Sequence, residues 1–351
     1  MKFAVGYQHR EDGEPFSAIV ADYRAHVSEV YFPWAGQASG RPPVGHALDD
    51  SLEEIQQVLE EELQTLRRMG VKLDLLFNAN CYGERAVSVS LEKEVRGIVD
   101  HLGALGCCPE IVTTASPMIA STVKKWFPGI EVRASVNMRI GTVQAMGYVE
   151  DLFDSFYLQR DLQRNFATVK KAREWCGRHG KKLCLLANSG CLRFCPGQTF
   201  HDNLIAHSAD AEEMENLPEW NPHVCWTLYK NPEHFVEILR STWIRPEDLH
   251  RYAGLIDTAK LATRQHANPR MVIGAYAEGR FRGNLLDLLE PGFSPAFAPR
   301  FIDNAAFPSD WAERTGQCAG GCESCTYCKQ TLEKVLVSLP GDGSVLEASA
   351  H

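Results

Sequence analysis

Short apolar, β-branched runs alternate with longer amphipathic stretches along most of the chain. This is the pattern of βα units wound around a parallel sheet. Eight runs read as strands: KFAVGY, SEVYFPW, KLDLLFN, EIVTTAS, EVRASVN, SFYLQ, KKLCLLAN and GLIDTAKLA. Between them, SLEEIQQVLEEELQTLRRMG reads as a complete helix. Leu52, Ile55, Leu59, Leu63 and Leu66 form one apolar stripe, Ser51 is placed as the N-cap and Gly70 as the C′ residue. Pro246 in IRPEDL marks a further helix start, and Arg270, Tyr276 and Asn284 fall in helix and turn. Eight βα units within roughly 280 residues predict an α/β fold, a TIM-type (β/α)8 barrel, with reactive groups at the C-terminal ends of the strands.

The barrel is expected over residues 1–285. It includes an excursion at about 191–253 between the seventh and eighth strands, long enough to be a candidate for function. A cysteine-rich extension follows over 286–338, then a polar, disordered tail over 339–351.

Polar residues cluster where the strands should end. SFYLQRDLQRN puts Arg160, Asp161, Arg164 and Asn165 at the exit of the sixth strand, where two guanidinium groups beside a carboxylate suit an anionic substrate. The alternative for them is a scaffold ion pair. Asn78 and Asn80 leave strand three, Asn137 strand five and Asn188 strand seven, while Lys260 and Arg264 leave strand eight. Together they describe a binding mouth. His201 in CPGQTFHDN is a candidate ligand or proton donor, set against the plainer role of a packed, hydrogen-bonded histidine.

Bulk composition narrows the chemistry. The 44% hydrophobic content suits one large core, and no run of about 18 apolar residues suggests a membrane span. The N-terminus turns polar after a few residues, so a cytoplasmic location is expected. A net charge of −9 does not favour nucleic acid as a partner, although the basic run KKAREWCGRHGKK is a candidate phosphate contact. Twelve cysteines are many for such a chain, and a reducing compartment points them to metal or redox chemistry.

Four of them, Cys318, Cys322, Cys325 and Cys328, form CAGGCESCTYC, a C-x3-C-x2-C-x2-C spacing that brings thiolates close enough to surround one 4Fe–4S cluster. Zinc is the rival metal, but its sites usually pair two separated knuckles. The first three positions also match radical S-adenosylmethionine spacing, though far from the early strand where that motif belongs. Cys191, Cys195 and Cys225, with Cys81 after the third strand, are candidates for a second cluster at the mouth. Their alternative is to be small packed residues, the reading preferred for Cys107, Cys108, Cys176 and Cys184.

The segments SVNMRIGTVQAMGYVEDLFDSFYLQRDLQRN, LANSGCLRFCPGQTFHDN, IRPEDL and DTAKLATR make the chain resemble the peptidase U32 family of collagenase-like proteins. The resemblance spans nearly the whole chain, and it implies either a peptidase or an iron–sulfur protein. Some members support oxygen-independent hydroxylation in ubiquinone synthesis, and others act in RNA modification. It also implies that Cys191 corresponds to a cluster cysteine. The chain departs from the family in having no cysteine after the second strand and in its terminal CAGGCESCTYC. The leading expectation is a cluster-bearing redox enzyme, or the cluster-bearing half of one. It would act on a small or macromolecular substrate, with an electron donor or acceptor and a same-family protein as partners. A peptidase using Cys191 and His201, and an RNA-modification protein with a structural cluster, are the alternatives; HExxH is absent.

Overall fold

The computed structural model describes residues 1–9, 13–37, 39–41, 51–318 and 320–339; the tail from residue 340 onward lies outside the described residues. Eight parallel strands close into a barrel: β1 (Phe3–Gly6), β2 (Val27–Pro33), β3 (Lys72–Phe77), β4 (Ile111–Thr114), β5 (Glu131–Ala134), β6 (Ser155–Tyr157), β7 (Lys182–Leu186) and β8 (Thr258–Leu261). Each pairs with the next, and β8 closes on β1. Seven lie within the runs expected to be strands, and β2 starts one residue earlier, at Val27. No helix among the described residues is long and apolar enough to cross a membrane.

The connecting helices start where short polar side chains can cap them. Ser51, Ser88, Ser116, Thr142, Asn165 and Asn268 each accept the backbone N–H three residues on, a contact typically worth about 1 kcal/mol. The helix Leu52–Arg68 buries Ile55, Leu59, Leu63 and Leu66 against the sheet. Leu52 departs from the expected stripe: in the first turn it is 59% exposed and lies beside Gly36. Pro246 opens a 3-10 helix, Pro246–Tyr252.

After β8 the chain packs back onto the excursion. Phe235 stacks on Phe297 with centroids 3.8 Å apart, and Trp243 stacks on Trp311 at 5.7 Å. A small antiparallel pair, β9 (Arg300–Ile302) and β10 (Leu336–Ser338), ties the two ends of the extension together. Phe293, Phe297, Ile302, Trp311 and Val335 belong to the same buried cluster as the barrel's outer face. The cysteine-bearing segment is thereby fixed beside the exit of β6.

Candidate functional site at the barrel mouth

Two loops meet at the mouth: the 3-10 turn Arg160–Leu162 after β6, and residues 190–197 after β7. Asp161 clamps them together. Its carboxylate accepts from the Phe194 N–H and from Gln159 Nε2 at 2.9 Å, and its carbonyl accepts from Arg193 Nε at 2.9 Å. Arg160 Nη1 donates to Cys191 Sγ at 3.1 Å. A cavity opens on each side of this double wall. The larger, about 650 Å³, is lined by Arg160, Cys191, His201, Cys225 and Glu290 among others. The smaller, about 200 Å³, is lined by Asp161, Arg164, Arg193 and the thiol-bearing Cys318, Cys322 and Cys328.

In the larger cavity Arg41 is taken up by Glu290, with two contacts of 2.8 Å. Burial, the facing His223 ring and nearby guanidinium charge push the His201 imidazole down to about 4, so it is neutral at physiological pH. The two histidine rings lie 4.6 Å apart. Burial, followed by the neighbouring Cys191 and Cys195, pushes the Cys225 thiol up to about 11, and burial also raises Cys195. Those three thiols therefore form one neighbourhood.

Several residues expected at the substrate mouth are engaged in contacts that hold it together. Asn188 is fully buried and spends its amide on Ala262 and Leu288 carbonyls, both at 2.9 Å, and on the Ala262 N–H at 2.6 Å. Asn165 caps the helix Phe166–Arg178. Arg164 donates to the Leu239 and Ser241 carbonyls and lies about equally far from the Trp243 and Trp311 rings, at 5.3 and 5.0 Å. Asn80 donates to Asp202 at 3.2 Å, and Arg264 to Ser39 Oγ at 2.7 Å. Asn78 and Asn137 press on Gly40, where φ is +71°. A Cβ there would stand 2.9 Å from the Asn137 amide, so only glycine lets this loop lie across the strand ends.

Lys260 is a correction: it lies within β8, inside the barrel, and not at the exit. Its ammonium sits 3.7 Å from the centre of the Tyr31 ring. Burial pulls it down to about 8 despite Asp74, while burial pushes Asp74 up to about 6 despite Arg133 and Lys260. Below this pair Arg133, 1% exposed, binds Glu29 through two nitrogens at 2.6 and 3.2 Å, Glu131 at 2.9 Å and Ser155 at 3.0 Å. Reading the sequence for strand exits missed this interior network. Its signal was a charged residue at alternate positions inside strand runs: Glu29, Asp74, Glu131 and Arg133. Cys184 faces it, with burial pushing the thiol up to about 12. Cys107 and Cys176 are buried as expected, but Cys108 is exposed, because it follows Cys107 in an extended connection and turns outward.

The tail cysteines divide. Cys318, Cys322 and Cys328 share the smaller cavity with Arg164 and Arg240, while Cys325 is exposed outside it. Burial raises the Cys328 thiol, and the two arginines oppose that rise. Four thiols in eleven residues, three of them around one enclosed space beside two guanidinium groups, suit an anionic thiolate-ligated cluster in donor type and placement. Among the described residues no three His, Cys, Asp or Glu side chains meet closely enough to hold a metal ion, so the fit is one of grouping and chemistry. Cys81 is not brought to Cys191, Cys195 and Cys225: its thiol faces His207 and the Gly83 N–H.

No protein-family model matches the chain. It is 27% identical over 287 residues to an uncharacterized protease, MJ1657, of Methanocaldococcus jannaschii, covering 79% of this chain and 81% of that one. Among solved structures, that of the U32 peptidase Mk0906 covers 75% of this chain and 93% of its own at a TM-score of 0.52 and 18% identity, a likeness of fold.

Proposed function

We propose that this chain, which belongs to the U32 peptidase family, works as an iron–sulfur redox enzyme that modifies its substrate without free oxygen. In this reading Cys318, Cys322, Cys325 and Cys328 hold a four-iron cluster, and the 650 Å³ cavity holds the substrate. One observation carries it: the segment Arg160–Asn165 and the loop at 190–197 are the common wall of both cavities. Arg160 faces the large cavity and the next residue, Asp161, faces the thiol-lined one. Consecutive Cα atoms are about 3.8 Å apart, so little protein separates the two spaces. A bound cluster supplies one-electron transfer.

The chain's own residues do the rest. Arg160, 7% exposed, offers its remaining N–H groups to an anionic part of the substrate. Asp161 holds the wall in register, and Arg164 and Arg240 offset the negative charge of the thiolates. Cys191, Cys195 and Cys225 are a three-thiol set at the edge of the substrate cavity. A second cluster there would leave one iron position to a non-thiol ligand.

The relative's name would make this a protease, yet the geometry around Cys191 gives that reading little. Its hydrogen-bond partner is Arg160, a guanidinium that cannot accept a proton. His201 has the ring of His223 as its partner.

The test is iron and sulfide quantification with paramagnetic resonance on anaerobically purified protein. Changing all four tail cysteines to Ser should remove about four irons. Irons that persist should go when Cys191 is changed as well. Loss of all iron from the tail variant would mean one cluster only, and retention of every iron would overturn the assignment to the tail.

A further inference from the structure

We propose that Cys81, His207 and Asp210 form a second reactive centre, a nucleophilic thiol with its base and the carboxylate behind it, which takes acyl groups from esters and thioesters. The proposal goes beyond the redox reading and does not depend on it.

The three residues come from two segments: Cys81 from the loop after β3, and His207 with Asp210, three residues on, from the start of the helix Ser208–Glu212. His207 Nδ1 faces Asp210 Oδ2 at 3.3 Å, and the same ring packs on the Cys81 loop, where a Cβ on Gly83 would stand 3.7 Å from His207 Cε1. The Gly83 N–H donates to Cys81 Sγ at 3.4 Å. The Asn80 bond to Asp202, at 3.2 Å, fastens the loop against the first of those helices. His207 and then the Gly83 N–H hold the Cys81 thiol below its ordinary range, while Cys81 and then Asp210 raise the imidazole. The pair therefore leans toward thiolate and imidazolium.

Nucleophile, base and orienting carboxylate thus lie side by side, the grouping that activates a thiol for acyl transfer once the imidazole turns to it. Thiol–disulfide exchange would need only the thiolate. A carboxylate behind the imidazole adds what deacylation requires, an oriented base for water. Cys191 has no such base. The centre is open, with the His207 side chain 39% exposed and that of Asp210 79%. This suits activated acyl donors, whose leaving groups need little help, more than peptide bonds.

The chemistry balances within the three residues and water. The thiolate attacks the acyl carbon, the C–O or C–S bond of the donor breaks, and the departing alkoxide or thiolate takes the proton from His207. Neutral His207 then takes a proton from water as the water oxygen attacks the thioester. The C–S bond to Cys81 breaks, leaving a carboxylic acid and the original thiolate–imidazolium pair.

Full-length, anaerobically prepared protein mixed with p-nitrophenyl acetate provides the test. A burst of nitrophenolate followed by slower turnover is expected, with peptide mass spectrometry finding acetyl on Cys81 ahead of Cys108, the exposed cysteine that serves as internal control. Cys81→Ser should abolish the burst. His207→Gln should slow acylation and turnover on the order of a hundredfold, and Asp210→Asn should slow both less; circular dichroism checks that each variant is folded. Acetylation of Cys81 no faster than Cys108, a folded His207→Gln variant with unchanged rates, or an acetyl-Cys81 that never turns over would each overturn the proposal. Iron measured on the same samples keeps this outcome separate from that of the cluster assignment.

Discussion

Replacing Arg133 by Met should be among the most damaging single changes in the barrel. The side chain is 1% exposed and compensates Glu29 and Glu131 directly, with Asp74 at 3.7 Å. Removing one partner of a buried ion pair costs about 3–5 kcal/mol, because the charges left behind have neither water nor a counter-ion. Against a typical total stability of about 5–15 kcal/mol, about a fifth of it at the least would be lost. The loss should depend on pH with a definite sign. Burial would raise Glu131, but Arg133 and Lys182 overcome it and hold the carboxyl at about 2, below its ordinary 4.5. Such a depressed carboxylate contributes stability that is fully present above its unfolded value and is lost as pH falls toward 2. Asp74, raised to about 6, is pushed the other way by burial and rises further without Arg133. The gap between wild type and variant should therefore be full only above the variant's own Asp74 value, which lies above 6, and shrink as pH falls and these carboxyls protonate. Urea unfolding followed by tryptophan fluorescence and circular dichroism measures it. A double variant, Glu29→Met with Arg133→Met, should be less destabilised than the sum of the single variants, since an apolar pair replaces a broken ionic one. A single-variant cost below about 1 kcal/mol, or strict additivity in the double variant, would refute the reasoning.

Two further outcomes follow from the mouth. Asn188→Ala leaves the Ala262 N–H and the Ala262 and Leu288 carbonyls without their buried partner. At about 1–3 kcal/mol for each unsatisfied group, it should cost about 3 kcal/mol or more in denaturant titration, and a near-neutral result would show that the carbonyls find other donors. Arg160→Ala should impair turnover while the iron content of the anaerobic protein stays unchanged, because Arg160 is placed against substrate; loss of iron would show that it supports a cluster instead.

The barrel was legible in the sequence because strand formation here rests on a local signal. Eight short apolar runs are separated by capped amphipathic helices, and burial on both faces leaves those runs no other stable arrangement. The boundary of the helix Leu52–Arg68 was equally local, set by Ser51, Glu54 and Gly70. The cysteine spacing at 318–328 likewise placed four thiols in one short segment before any fold was considered.

What each polar residue does was decided by packing between distant parts of the chain. Arg160 and Asp161 are neighbours in sequence yet face different cavities, because the 3-10 turn after β6 rotates successive side chains apart. Lys260 read as a strand exit because sequence bounds a strand only to within a few residues; closure of β8 on β1 carried it inside. Cys81 was grouped with Cys191 on the rule that strand ends share a face, a rule that assigns residues to the mouth and not to one another. The excursion from β7 chose the partner, because its helices set His207 and Asp210 over the β3 loop while turning Cys195 and Cys225 toward Cys191. Side-chain chemistry is written residue by residue, but whether a thiol meets an imidazole, a guanidinium or two other thiols depends on contacts that only the closed barrel brings together.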